Sequence, residues 1–260
     1  MPFHQHNNLR YYSFESLSGE VTQGIFTRRG GVSSAPWDSL NVGSTVGDDA
    51  AHVRENRARL FAALDRPAAS IFDAWLVHSD DVLSADSPRG ADEPPMKADI
   101  ILTDKPSVSL FLRFADCVPI FFHDPQRRVV GLAHAGWLGT VRGAARAAIE
   151  KMRSRYGCNA ADIRACIGPS IGPDHYEIGA DVEARVRQAF GNQAEHLLAW
   201  RDGVTYFDLW KANRIQLQAM GVREIEVSGV CTACGLDDWF SHRAERGKTG
   251  RFGALIALRA

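Results

Sequence analysis

Apolar residues along this chain change their spacing several times, from helical to alternating and back. In residues 45–64, Gly47-Asp48-Asp49 precedes apolar positions at Val53, Leu60, Phe61 and Leu64. That spacing predicts a helix that buries one stripe, with Asp48 or Asp49 accepting a hydrogen bond from a free amide of its first turn. Residues 73–78 and 98–103 read as strands, and 108–114 alternates, with Val108, Leu110, Leu112 and Phe114 on one face. Apolar runs at 118–122 and 129–133 flank His123-Asp124-Pro125-Gln126-Arg127, whose Asp-Pro has turn chemistry, so the two predict a hairpin. A helix is predicted from 139 to 156, stopped by Gly157. Beyond it come a strand at 163–167, helices at 181–190 and 209–220 (the second ended by Gly221), and strands at 224–230 and 252–258. Helices and hairpin strands interleave irregularly. The expected class is therefore α+β with mixed or antiparallel sheets, not a doubly wound parallel sheet.

No repeat or low-complexity segment divides the chain, and 87–95 reads as a short surface loop, so residues 1–260 are expected to form one domain. With 260 residues, 45% hydrophobic and 23% charged, the chain can bury a full core. A net charge of −1 lacks the basic footprint of a dedicated nucleic-acid binder. Arg127-Arg128 and the basic segment 243–251 read as solvated surface, or as a seat for a small anion. The first residues lack the apolar run of a secretory signal, and no apolar stretch approaches membrane-spanning length. Five irregularly spaced cysteines do not form a disulfide framework. A cytoplasmic protein without a membrane or nucleic-acid partner is the expectation.

Candidate chemistry gathers in the middle of the chain. Cys117, in Ala115-Asp116-Cys117-Val118-Pro119, falls between two predicted strands. His134 ends the next one, in His134-Ala135-Gly136-Trp137, and His78 closes the strand at 73–78. Two imidazoles and one thiolate suit zinc or copper, with a fourth position open for water or substrate. Taken singly, a histidine at a strand end is more often an ordinary core or surface residue, and a buried cysteine a small hydrophobe.

Several segments, in order, give these residues more weight. They are Phe26-Thr27-Arg28-Arg29-Gly30-Gly31-Val32-Ser33, Asp38-Ser39-Leu40-Asn41-Val42-Gly43, Gly47-Asp48-Asp49 and Glu55-Asn56-Arg57. Ala115-Asp116-Cys117-Val118-Pro119, His134-Ala135-Gly136-Trp137, the 168–173 loop and Tyr176-Glu177-Ile178-Gly179 follow. Cys231-Thr232, Phe240-Ser241-His242-Arg243 and Thr249-Gly250-Arg251 close the series. Over this span, from Phe26 to Arg251, the chain resembles the YfiH-like, laccase-domain family, also labelled multicopper polyphenol oxidase. The resemblance implies two packed mixed β-sheets flanked by helices, similar to the catalytic domain of cytotoxic necrotizing factor. It implies a metal-dependent purine nucleoside phosphorylase, with adenosine or inosine and phosphate as substrates and adenosine deamination as an added activity. His78, Cys117 and His134 fall on the family's metal ligands, for zinc or copper.

Two positions depart from the family pattern: Leu76 where glutamine is usual, and Leu138 where arginine is usual. Arg142, one helical turn beyond Leu138, is the substitute considered for that cation. Arg28 and Asn41, polar residues in glycine-rich loops, are candidate substrate-binding groups, though loop residues of this kind also serve only to satisfy backbone. Cys231 and Cys234 have metal-clip spacing, but with no second pair in sequence they are expected to form no clip. Cys158 and Cys166 read as a loop residue and a core-strand residue. Three other functions compete: a metal-free hydrolase with Cys117 as nucleophile and His134 as base, acting for example in peptidoglycan-precursor editing; a copper-dependent phenol oxidase; and a non-enzymatic metal-binding module.

Overall fold

The computed structural model describes residues 2–90 and 92–259. The chain starts with three antiparallel strands, β1 (Phe3–His6), β2 (Leu9–Tyr12) and β3 (Val21–Phe26). Helix α1 (Ala50–Ala63) follows, and Asp49 caps it by accepting from the Ala51 amide at 2.7 Å. Short strands β4 (Ile71–Phe72) and β5 (Val82–Ser84) lead to β6 (Ile100–Thr103), β7 (Ser109–Phe114), β8 (Val118–Asp124) and β9 (Val129–Ala135). Next come α2 (Trp137–Arg142), α3 (Ala144–Tyr156) and β10 (Arg164–Ile167). The remainder comprises β11 (Glu177–Ile178), α4 (Ala180–Phe190), β12 (Leu198–Arg201), β13 (Val204–Phe207), α5 (Leu209–Ala219), β14 (Glu224–Val227) and β15 (Phe252–Leu258).

Two six-stranded mixed sheets result. One has the order β1-β2-β3-β15-β7-β4 and the other β14-β10-β8-β9-β6-β5, with a small third sheet β11-β13-β12. The expected α+β fold is what forms. The two large sheets pack face to face over Phe14, Phe114, Phe121 and Phe252. On the outer face of the first sheet, α1 buries Leu60 and Phe61. On the outer face of the second, α3 and α5 bury Ala148, Ile149, Met152, Ala212 and Leu217. Strands β8 and β9 are therefore buried on both faces, which explains why they read as unbroken apolar runs and not as alternation. Each fully buried phenylalanine there contributes about 1.5–3 kcal/mol.

Three local expectations need correction. Residues 73–78 do not form a strand; they make an isolated bridge, Trp75 to Lys97, and then a loop. The helix expected over 139–156 is two helices, because Gly143 adopts φ +95°, a left-handed conformation that ends α2. Strand β14 stops at Val227 instead of reaching 230. Among the described residues, no helix is long and apolar enough to cross a membrane.

Candidate active site and metal centre

The hairpin β8–β9 fixes two of the three expected donors. Cys117 sits in the turn between β7 and β8, directly after Asp116, which holds φ +79°. A non-glycine residue in that region is strained, so the surroundings must hold it there. The Asp116 carboxylate does so: Oδ1 accepts from Thr232 Oγ1 at 2.7 Å and Oδ2 from the Arg243 amide at 2.7 Å. Its backbone oxygen accepts from the Ile171 amide. His134 lies in β9, buried beside Phe114. His78 comes from the loop after the Trp75 bridge, at φ +58°, and not from a strand end.

A residue absent from the expected site unites the two histidines. Asp99, fully buried just before β6, accepts from His134 Nδ1 at 2.9 Å through Oδ1. Its Oδ2 accepts from the Val77 and Ser79 amides, at 3.1 and 2.7 Å, and from Ser79 Oγ at 3.1 Å. One carboxylate thus orients the His134 ring and pins the loop that carries His78. Arg142 assists from α2, donating to the His78 carbonyl at 3.2 Å. With Asp99 holding Nδ1, the His134 Nε2 is left for Cys117 or a metal.

The ligand atoms of His78, Cys117 and His134 lie within 4.8 Å of one another, so the structure brings the three expected donors to one point. The two imidazole rings are 5.1 Å apart between centroids. Burial pushes the Cys117 thiol up, but the His134 and His78 imidazoles outweigh it and bring it well below its ordinary value. Burial works against charge on His134, while Cys117 and Asp99 raise its pKa above the ordinary one. Gly136 leaves the necessary room: a Cβ there would stand 2.8 Å from Cys117 Sγ and 3.1 Å from His78 Nδ1. A soft thiolate and two imidazoles around a space that only glycine leaves free fit a zinc- or copper-class ion.

This cluster forms one wall of a cavity of about 740 Å³. Trp75, Trp137 and Tyr176 give it aromatic surface, and Arg57, Arg89, Arg113, Arg243 and Arg251 give it positive charge. Asp73 pairs with Arg89 at 2.7 Å and with Arg113 at 2.9 Å. Arg57 is pushed down to about 10 by burial, and neighbouring Arg113 and Arg89 act in the same direction. Three guanidinium groups around one carboxylate leave positive charge unbalanced in a half-buried place. Arg243 stacks over Tyr176, 5.1 Å from its centroid.

Neither Arg28 nor Asn41 is among the residues lining the cavity. The Arg28 guanidinium donates to Asp38 O at 2.8 Å, pairs with Glu245 at 3.0 Å and lies over Phe240. Asn41 is fully buried; its Oδ1 accepts from the Arg251 amide at 2.8 Å and its Nδ2 donates to Asp48 at 2.8 Å. Both grip the segment that delivers Arg243 and Arg251. Arg57 and Arg251 stand inside Glu55-Asn56-Arg57 and Thr249-Gly250-Arg251, so the motifs that marked them were visible without their role. Asp99 had one signal, an acid at the edge of an apolar run.

A second donor group lies apart from the cavity. Asp174, His175, Cys231 and Cys234 bring their ligand atoms within 4.8 Å of one another. Cys158 and Cys166 are buried in a loop and in β10, as expected, and burial pushes both thiols up.

Residues 22–259 match the family described as multi-copper polyphenol oxidoreductase laccase. The chain is 40% identical to the purine nucleoside phosphorylase YlmD of Geobacillus stearothermophilus over 247 residues, 91% of this chain and 89% of that one. It is 39% identical to a purine nucleoside phosphorylase of Deinococcus radiodurans over 238 residues, 92% and 89% of the two chains. The crystal structure of the hypothetical protein YfiH of Bacillus licheniformis superposes with a TM-score of 0.92 at 37% identity, covering 99% of each chain.

Proposed function

The chain belongs to the multi-copper polyphenol oxidoreductase laccase family, and on that premise we propose that it is a purine nucleoside phosphorylase. The observation that carries this reading is the excess of half-buried guanidinium groups on the cavity wall, close to the His78, Cys117 and His134 cluster. An anionic co-substrate answers that charge; a phenol would not. Relatives named for the same activity support it.

Phosphate is assigned to Arg57 and Arg251 of the cavity lining, with Arg113 near Arg57 adding positive charge. Arg57 is steadied by donating to Val42 O at 2.8 Å, and Arg251 by donating to Gly250 O at 2.8 Å. The purine lies against the aromatic surface of Trp137 and Tyr176. In the reaction a phosphate oxygen forms a bond to the ribose C1′ as the bond from C1′ to the purine nitrogen breaks. The purine leaves with that electron pair and takes up a proton, which we assign to His242, the cavity imidazole outside the cluster. Positive charge developing on the ribosyl group is met by the fixed carboxylate of Asp116. Holding both reactants in one cavity supplies much of the remaining advantage. His78, Cys117 and His134 are the residues that would hold zinc, or copper; the ion would supply Lewis acidity, which adenosine deamination would also draw on. Arg28 and Asn41 serve substrate binding indirectly, by fixing the segment that bears Arg243 and Arg251.

A second reading has its own observation: Asp99, His134 and Cys117 stand in the order that a thiol hydrolase uses to activate its nucleophile. Phosphate separates the two. Inosine or adenosine with phosphate is expected to give free purine and ribose 1-phosphate in equal amounts, and Arg57→Met to raise KM for phosphate by about 10- to 100-fold, the cost of one charged hydrogen bond. Purine release at the same rate without phosphate would overturn the phosphorylase reading.

A further inference from the structure

We propose that Asp174, His175, Cys231 and Cys234 form a second metal site, a closed four-donor seat for a zinc-class divalent ion. The sequence alone predicts no clip at Cys231 and Cys234, because it shows no second pair. The fold delivers that pair from the loop before β11, more than fifty residues upstream.

The spacing of the donors already suits an ion. His175 Nδ1 lies 3.6 Å from Cys234 Sγ, 3.8 Å from Cys231 Sγ and 3.1 Å from Asp174 Oδ1. A tetrahedral zinc with bonds of about 2.3 Å to sulfur and 2.0–2.2 Å to nitrogen or oxygen needs donor–donor edges of about 3.4–3.8 Å, the longest between the two sulfurs. The Gly172 amide donates to Cys231 Sγ at 3.2 Å, which fixes that sulfur toward the seat. A Cβ on Gly172 would reach 2.7 Å from Asp174 Oδ1 and 3.2 Å from Cys231 Sγ, so a glycine keeps the seat clear. Two thiolates, one imidazole and one carboxylate complete a tetrahedron, which marks a structural ion.

The position of the seat gives it a task. It joins two loops that already meet through Thr232 N to Ser170 O and Ser170 N to Val230 O. These loops grip Asp116 beside Cys117, through the Ile171 amide and Thr232 Oγ1. Tyr176, next to His175, lines the cavity. An ion here clasps the loops behind the active-site wall without touching substrate.

Metal content, not turnover, decides the matter, so the result is independent of the phosphorylase reading. Full-length protein is stripped, reduced, loaded with zinc, desalted and analysed for bound metal. Cys234→Ser and His175→Ala are each expected to bind one equivalent less than the parent chain; Cys234 is exposed, so its replacement leaves the core intact. In the Cys117→Ala chain, cobalt(II) is expected still to show thiolate-to-cobalt charge-transfer absorption, and the further change Cys234→Ser to weaken it sharply. Zinc is also expected to raise the Tm of Cys117→Ala protein but not that of Cys117→Ala/Cys234→Ser. Equal metal content in the parent, Cys234→Ser and His175→Ala chains would overturn the proposal. So would a Cys231–Cys234 disulfide in freshly isolated protein, read as a mass two hydrogens lower.

Discussion

Among the described residues, two groups of donors combine imidazole with thiol, and they differ in number and in setting. His78, Cys117 and His134 stand on or beside a buried hairpin; Asp99 fixes the two histidines from just before β6, and Asp116, next to Cys117, anchors that turn to Thr232 and Arg243. Asp174, His175, Cys231 and Cys234 stand on surface loops; His175 is 43% exposed and, among the described residues, its carboxylate partner is Asp174 of the group itself. The first has three donors and opens on a cavity; the second has four and faces solvent. Reactivity follows from the open side and the supporting carboxylates, and not from the donors themselves. The cavity adds the excess of arginines that the surface group lacks.

Removing one thiol from each group should break the symmetry most strongly. Loss of a supporting partner typically costs 10–100-fold, so Cys117→Ala, which deletes a donor, is expected to cost more than about 100-fold in kcat. Cys234→Ser is expected to leave kcat within a few-fold. Steady-state rates with inosine and phosphate check both, and similar losses in the two chains would count against the distinction.

Asp99→Asn comes next. It keeps the shape but removes the charge that steadies His134, and is expected to cost about 10–100-fold in metal affinity or turnover. Zinc titration against a competing chelator measures the first. An unchanged affinity would mean that Asp99 serves only the fold.

The smallest effect belongs to Asp48, in the loop before α1 and outside the cavity lining. Burial pushes the Asp48 carboxyl up, but hydrogen bonds from Asn41, Ser33 and the Asp49 amide outweigh it, and its pKa falls below the ordinary 3.8. A carboxyl with a depressed folded-state pKa stabilises above its unfolded value and loses that contribution as pH falls through the folded one. Asp48→Asn is therefore expected to be less stable than the parent at neutral pH, with the gap closing below about pH 4. Urea unfolding over a pH series tests the sign; a gap that widens in acid would refute the assignment.

Much of this architecture was legible in the pattern of residues, and the exceptions have physical causes. The runs at 118–122 and 129–133 announced β8 and β9 because strands buried on both faces need no polar alternation. Helix α1 was equally plain, though the sequence left its cap open between Asp48 and Asp49, of which Asp49 serves. Residues 73–78 misled because Ala74 and Leu76 pack as a loop against other elements, with Asp99 accepting from the Val77 and Ser79 amides in place of a strand neighbour. The break at Gly143 was hidden because apolar positions on both sides keep helical spacing. The three donors could be named, but Asp99 and His175 act through contacts between distant segments, which no local spacing records.

One measurement tests the central claim, that the cavity group drives phosphorolysis and the surface group does not. Ribose 1-phosphate formed from inosine is quantified, with and without phosphate, for the zinc-loaded parent, Cys117→Ala and Cys234→Ser chains. The account requires phosphate-dependent product from the parent and from Cys234→Ser, and none above background from Cys117→Ala. Product from Cys117→Ala at the parent rate, or hypoxanthine released equally fast without phosphate, would contradict it.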